Sequence, residues 1–287
     1  MFLESRRGDP IYWRYGLAHF GKSLFWYTSE LLFAYYLSEV CQLPARAMGL
    51  VLAIGYLAGA AADLWVGLAF ADRLTSAAGA ARLQGFGAAA SAVALTLLFA
   101  GAGLSPSVRL PYVLVVGLGF RIAYAVYDLP QNALLTLGTD GFDQRVRYSS
   151  LRLFFSGAAS LLVAASTGPL LSAVIPAGPL SRYLALALLW SAVGLWSAWR
   201  LRRCPWPAAK ASTPYTPRRP LLRMFAPPRE IRPLLGLFFV VSATASVFGK
   251  VEPYYASFVI RAPLWGGAIA RHWWTWCLLL YIGLMLK

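Results

Sequence analysis

Charge is what this sequence lacks. Of its 287 residues only 13% are Asp, Glu, Lys or Arg, and 11 are acidic, against 59% hydrophobic residues and a mean hydropathy of +0.59. A soluble domain carries about 25% charged residues; half that fraction argues for a membrane protein. Cysteine is scarce too. Cys41, Cys204 and Cys277 are odd in number, far apart and without CxxC spacing, which argues against a disulfide framework or a zinc site. The two histidines, His19 and His272, stand alone near span ends. No HExxH or GxSxG pattern occurs, so the chain does not read as an enzyme and no cofactor is implied. The opening stretch, residues 1–10, holds no apolar run and is not a cleavable signal peptide.

What is present is a succession of apolar runs of about 20 residues, the length a helix needs to cross about 30 Å of hydrocarbon. Spans are expected at residues 16–38, 46–70, 80–104, 110–137, 149–175, 180–200 and 233–259. An eighth run near 264–286 is interrupted by Arg271 and His272. The predicted class is therefore all-α and polytopic. Connections are short until 201–232, where prolines from Pro205 to Pro228 alternate with basic residues. That stretch reads as a solvated linker. The expected organisation is a six-helix bundle over 1–200, the linker over 201–232, and part of a second bundle over 233–287.

The net charge of +15 would suggest a nucleic-acid partner in a soluble chain, but here topology explains it. Arg6, Arg7, Arg14, Arg73, Arg82, Arg145 and Arg147 fall on one side of the spans, together with the basic linker. Only Arg46, Arg109, Arg182 and Arg261 fall on the other. The positive-inside rule puts the N-terminus and the linker in the cytoplasm, with the chain in the cell (inner) membrane. The expected partners are the lipid bilayer and a small molecule, not nucleic acid.

One stretch breaks the apolar pattern. Arg121, Asp128, Gln131 and Asn132 lie inside the fourth run. Charge within a membrane span is costly and marks a pathway or a site. Arg121, Asp128 and Asn132 are spaced i, i+7, i+11, which places them on one helix face. That face should look into a bundle or a wet cavity. The plain alternative is that Asp128 and Arg121 form an internal ion pair that only holds the helix in place. In the second run Gly55, Gly59, Asp63 and Gly67 recur every four residues, a stripe that lets helix backbones approach closely. Asp63 on that stripe must be neutral, paired or hydrated. Lys22 and Glu30, eight residues apart in the first run, point about 80° apart and need different partners. Lys250 and Glu252 should sit near a hydrated helix end. Trp13, Trp26, Trp65 and Trp190 suit interfacial anchoring or packing, with Trp26, on the Lys22 face, the best candidate to stack on a sugar.

Four motifs now bear comparison with a known group. Tyr15-Gly16, Phe20-Gly21-Lys22 and Tyr35-Tyr36 through Glu39 are similar to an opening "YG…FGKD…YYxTD". Asp63-Leu-Trp-Val-Gly67 through Asp72-Arg73 resembles "DPxxGxxxDRT". Asp128-Leu-Pro130 through Thr139-Asp140 resembles "DIPYxAL…LTxDxxER", and Tyr148 through Phe155 resembles the start of a fifth span. In order and spacing the chain resembles the glycoside–pentoside–hexuronide:cation symporters, the melibiose-permease-like branch of the major facilitator superfamily. The resemblance implies that Asp128, Arg152, Lys22, Trp26 and Asn132 hold the substrate. It implies that Asp63 and Asp128 bind the coupling cation, a proton or a sodium ion at Asp63, and that Asp72 and Arg73 serve as a gating pair in the loop after span 2. Arg152, close to the interface, could instead simply snorkel. The sequence also departs from the pattern. The family's Lys-Asp is here Lys22-Ser23, and the first carboxylate expected in span 2 falls at Gly59. A serine can hydrogen-bond a sugar hydroxyl but supplies no charge.

The function expected is cation-coupled symport of a sugar or glycoside by alternating access. Two alternatives stand beside it: a lysolipid substrate, which the same broad family includes, and a truncated, non-transporting membrane module. Twelve spans need roughly 400 residues, so a second copy or a second half-transporter is an expected partner.

Overall fold

The computed structural model describes residues 10–171, 178–206 and 229–261. Within them the chain is helical, with no strand. Helix α1 (Pro10–Tyr27) runs on through two π-helical segments, Thr28–Leu32 and Tyr36–Val40, joined by the α-turn Phe33–Tyr35. Then follow α2 (Ala45–Ala69), α3 (Ala77–Leu98), α4 (Pro106–Leu137), α5 (Phe142–Leu171), α6 (Pro179–Arg202) and α7 (Arg232–Tyr254). The six from α2 to α7 are each long and apolar enough to cross a membrane. Helix α1, which carries Arg14, His19, Lys22 and Glu30, is packed among them.

The helix ends follow local chemistry. Pro106 and Pro179 open α4 and α6, where a missing N–H costs nothing and the fixed φ suits a helix. The Ser76 hydroxyl accepts from Gly79 N at 3.1 Å at the start of α3, satisfying one of the orphan N–H groups there. Each expected span has its helix, but α1 begins at Pro10 rather than near residue 16. Its early aromatic residues are not loop: Tyr12 and Tyr15 pack on Tyr148 of α5, and Trp13 packs on Phe155. The linker reading falls mostly, and the eighth span wholly, outside the described residues.

Helix α4 packs on α2 and α3, α1 packs on α5 and α6, and α3 joins the two groups through α6. Small residues sit where backbones meet. A Cβ on Gly87 of α3 would collide with the backbone of Val126 and Tyr127 in α4, and one on Gly194 of α6 would enter the ring of Phe25 in α1. The core is continuous through Leu24, Phe25, Tyr36, Leu95, Phe99 and Tyr127. One of its polar tips is satisfied twice by backbone: Tyr36 donates to Phe99 O at 2.7 Å and accepts from Ala102 N at 2.9 Å. Cys41 and Cys204 are buried, and the Cys204 Sγ lies 3.7 Å from Arg200 O.

The Gly55–Gly59–Gly67 stripe of α2 does not bring two backbones together. Its nearest neighbours are side chains of α4: Arg121 beside Gly55 and Gly59, and Leu129 beside Gly67. The absent side chains make room for a long cation, not for a helix.

Candidate functional site

Where the α1/α5 and α2/α4 pairs diverge they leave a cavity of about 490 Å³. Its wall holds His19, Lys22, Ser23, Trp26 and Tyr27 from α1, and Tyr56, Gly59 and Asp63 from α2. Helix α4 adds Arg121, Tyr124 and Asp128, and α5 adds Arg152 and Ser156. The cavity is polar in the middle of apolar helices, as a membrane site for a hydrophilic solute must be.

One side of it is a closed polar network. Lys22 Nζ lies 2.5 Å from Asp128 Oδ1 and donates to Asn132 Oδ1 at 3.1 Å. Asn132 donates through Nδ2 to Asp128 Oδ2 at 2.7 Å. Arg152 of α5 donates to the same Asn132 Oδ1 at 2.7 Å. Asn132 is thus the hub: its carbonyl oxygen receives two cations and its amide supports the carboxylate that neutralises one of them. The lysine is almost fully buried, whereas the Asp128 side chain is 27% exposed. The carboxylate therefore remains reachable from the cavity while its partner is held in place. Beside this network on the same wall, His19 Nδ1 lies 3.1 Å from Gln131 Oε1, and Tyr27 and Ser156 share a hydrogen bond at 3.1 Å.

The opposite side is a second charged cluster around Glu30. Its Oε1 accepts from Arg121 at 3.2 Å, and its Oε2 accepts from Lys250 at 2.6 Å and from the Tyr56 hydroxyl at 2.6 Å. The Arg121 guanidinium lies over the rings of Tyr56 and Trp26, 5.0 and 5.7 Å from their centroids. Such placements add cation–π attraction in a desolvated site. Asp63 lies one turn beyond Gly59 on the same stripe, lines the cavity and forms no ion pair among the described residues.

The structure brings together most of the residues singled out in the sequence. Lys22, Trp26, Asp63, Asp128 and Arg152 line one cavity, and Asn132 joins Lys22, Asp128 and Arg152. Trp26 leans on Tyr124, with ring centroids 5.6 Å apart, and is 37% exposed.

Several expectations are corrected. Arg121 does not pair with Asp128; each has its own partner, because α1 supplies an acid for one and a base for the other. The 80° separation of Lys22 and Glu30 corresponds to these two separate pairings. Arg152 does not snorkel, since α5 starts at Phe142 and places Arg152 almost three turns into the helix. Lys250 is not a hydrated end charge: α7 docks on the second half of α1 and delivers it to Glu30. His19 is not near a span end but inside the cavity wall, because α1 starts earlier than its hydropathy suggests. Asp72 and Arg73 lie on the 3₁₀ turn Ala71–Thr75, away from the cavity, and form no ion pair among the described residues. There, in the loop after the second span where the sequence places the pair, Arg73 stacks on Phe70 at 5.4 Å and the Asp72 carbonyl accepts from Thr75. The residue the sequence left obscure is Tyr56, whose polarity is ordinary until Glu30 is placed beside it.

Fold and site together define a class: a multi-pass α-helical membrane protein enclosing a polar, charge-lined intramembrane cavity. The pattern of the MFS/sugar transport protein family matches residues 14–282, and the chain belongs to that family, one of transport proteins rather than enzymes. It is similar to an uncharacterized symporter of Synechocystis sp., with 28% identity over 278 residues covering 88% of this chain and 47% of the relative. The chain spans about half the length of the curated relative it matches.

Proposed function

We propose that this chain serves cation-coupled symport of a sugar or glycoside across the inner membrane, with its N-terminus in the cytoplasm. The observation that carries this reading is the Lys22–Asp128–Asn132–Arg152 network on the wall of a 490 Å³ cavity. A sugar is a ring of hydroxyls that both donate and accept. A carboxylate accepts two such donors, and an arginine fork donates to the oxygens. Asp128 and Arg152 stand on facing helices with Asn132 between them, so one hydroxylated ring placed in the cavity would meet an acceptor and a donor together. Trp26, with Tyr124 behind it, offers an apolar face for the ring's C–H surface.

Asp63 is our candidate for the coupling cation. It is a carboxylate on the cavity wall without an ion-pair partner among the described residues, whereas Asp128 and Glu30 are already neutralised. A proton needs only that one carboxylate. A sodium ion would need several more oxygens around it, since hard cations take about six ligands, and the neighbouring stripe position is Gly59. We favour the proton for this reason. Alternating access would come from one bundle rocking against the other, with α7 on one side and α1–α6 on the other.

The test is uptake of a labelled sugar panel into vesicles bearing this chain, with a proton or a sodium gradient imposed, after membrane insertion is established. Gradient-dependent accumulation of one sugar supports symport. Absence of both uptake and sugar binding in inserted protein would refute it.

A further inference from the structure

The Glu30 cluster has no place in the handling of substrate described above, yet it gathers three charges, as many as the Lys22–Asp128–Arg152 network. Three helices of the α1–α6 group meet there with α7. Glu30 sits in the π-helical segment Thr28–Leu32, where the extra residue of the wide turn pushes a side chain out of the regular register. Its two oxygens divide their partners. Oε1 takes Arg121 of α4, and Oε2 takes both Lys250 of α7 and the Tyr56 hydroxyl of α2. Helix α7 comes close enough to make this contact because Gly249 faces Leu31 with no side chain of its own.

We propose that Glu30 is a shared-carboxylate latch that holds α7 against the α1–α6 group and releases it without stranding a buried charge. An ion pair made of one acid and one base is costly to separate in a membrane, because each charge is left unpaired in a low dielectric. Here the acid never stands alone. When Lys250 withdraws, Oε1 keeps the Arg121 guanidinium and Oε2 keeps the Tyr56 hydroxyl. Arg121 in turn is held by the rings of Tyr56 and Trp26 and by the space above Gly55 and Gly59. Lys250 alone must be hydrated on release, and its flexible four-carbon stem lets the ammonium reach for water. The neutral hydrogen bonds further along, Tyr254 to Ala34 O and Tyr35 to Ser257 of the π-helical segment Tyr255–Val259 that continues α7, set its register on the first helix. The two-cation carboxylate sets whether it is docked. This deepens the transport reading, in which α7 is the first helix of the moving half, but it does not depend on what the cavity carries.

The experiment is a distance measurement between spin labels at Leu57→Cys on α2 and Val247→Cys on α7, both exposed positions. It uses the whole chain in lipid nanodiscs with Cys41, Cys204 and Cys277 replaced by serine. The parent should give one dominant distance. Lys250→Met and Glu30→Gln should shift the distribution to longer, broader distances, while Lys250→Arg should keep the parent distance. An unchanged distribution in both Lys250→Met and Glu30→Gln overturns the latch. Should Glu30→Gln fail to insert, Lys250→Met against Lys250→Arg decides alone, since neither alters the α1–α6 core. A latch without sugar uptake would refute the substrate reading only; sugar uptake with α7 indifferent to Lys250 would refute the latch only.

Discussion

Lys22 and Asp128 face each other at 2.5 Å across the α1/α4 contact, yet the lysine is 5% exposed and the aspartate 27%. That asymmetry makes the pair more than a structural rivet. The buried member is locked by Asn132, and the accessible member presents an oxygen to the cavity. Removing either charge should therefore have two separable consequences.

Asp128→Asn should abolish sugar uptake while leaving protein in the membrane. The amide still fills the space, but Lys22 loses its counter-charge, and breaking a buried pair costs about 3–5 kcal/mol. The double variant Lys22→Met, Asp128→Leu should recover much of the lost thermal stability, since apolar replacement of a buried pair is often neutral, and should still show no uptake. Melting curves in detergent and vesicle uptake measure the two effects side by side. Normal accumulation by Asp128→Asn would contradict the assignment.

Asn132→Ala should lower stability by about 1–3 kcal/mol, the usual consequence of leaving buried charged groups short of an acceptor. It should also weaken sugar binding, because Lys22 and Arg152 both lean on the same amide oxygen. Quenching of Trp26 fluorescence by the sugar gives the binding constant. Equal affinity in the variant would mean that the hub does not position Arg152.

Asp63→Asn should uncouple. Sugar binding and exchange should persist, and accumulation driven by a proton gradient should disappear. Counterflow and gradient-driven uptake, run on the same vesicles, separate these. Retained accumulation would move the coupling site away from α2.

Gly87→Ala should destabilise by about 1–3 kcal/mol, as overpacking does, because the added methyl meets the α4 backbone beside Asp128. Gly119→Ala on α4 has nothing within 4 Å of the new Cβ and should be neutral or slightly stabilising in the helix. The two melting temperatures form a matched pair.

Tyr36→Phe should cost about 1–3 kcal/mol, since both Phe99 O and Ala102 N lose a buried partner. Hydrogen exchange at the Ala102 amide, accelerated in the variant, would locate the loss.

The sequence by itself determined the membrane class, the seven helices, their approximate ends and the shared face of Arg121, Asp128 and Asn132. These are local properties. Hydropathy over 20 residues and an angle of 100° per residue need no knowledge of neighbours. Motif order brought Lys22, Asp63, Asp128 and Arg152 into one list. Tertiary structure alone decided who pairs with whom. Arg121 is as near to Asp128 along α4 as any helical pair two turns apart, but α1 presents Lys22 to one and Glu30 to the other, and ion pairs form with the charge that packing delivers. Glycine at 55 and 59 reads as backbone contact in a sequence, and becomes a bed for Arg121 only when α4 lies beside it. Lys250, 220 positions from Glu30 in sequence, becomes its ion-pair partner because α7 docks beside it. Charges buried in a low dielectric choose partners by distance in space, and no periodicity along the chain encodes that distance.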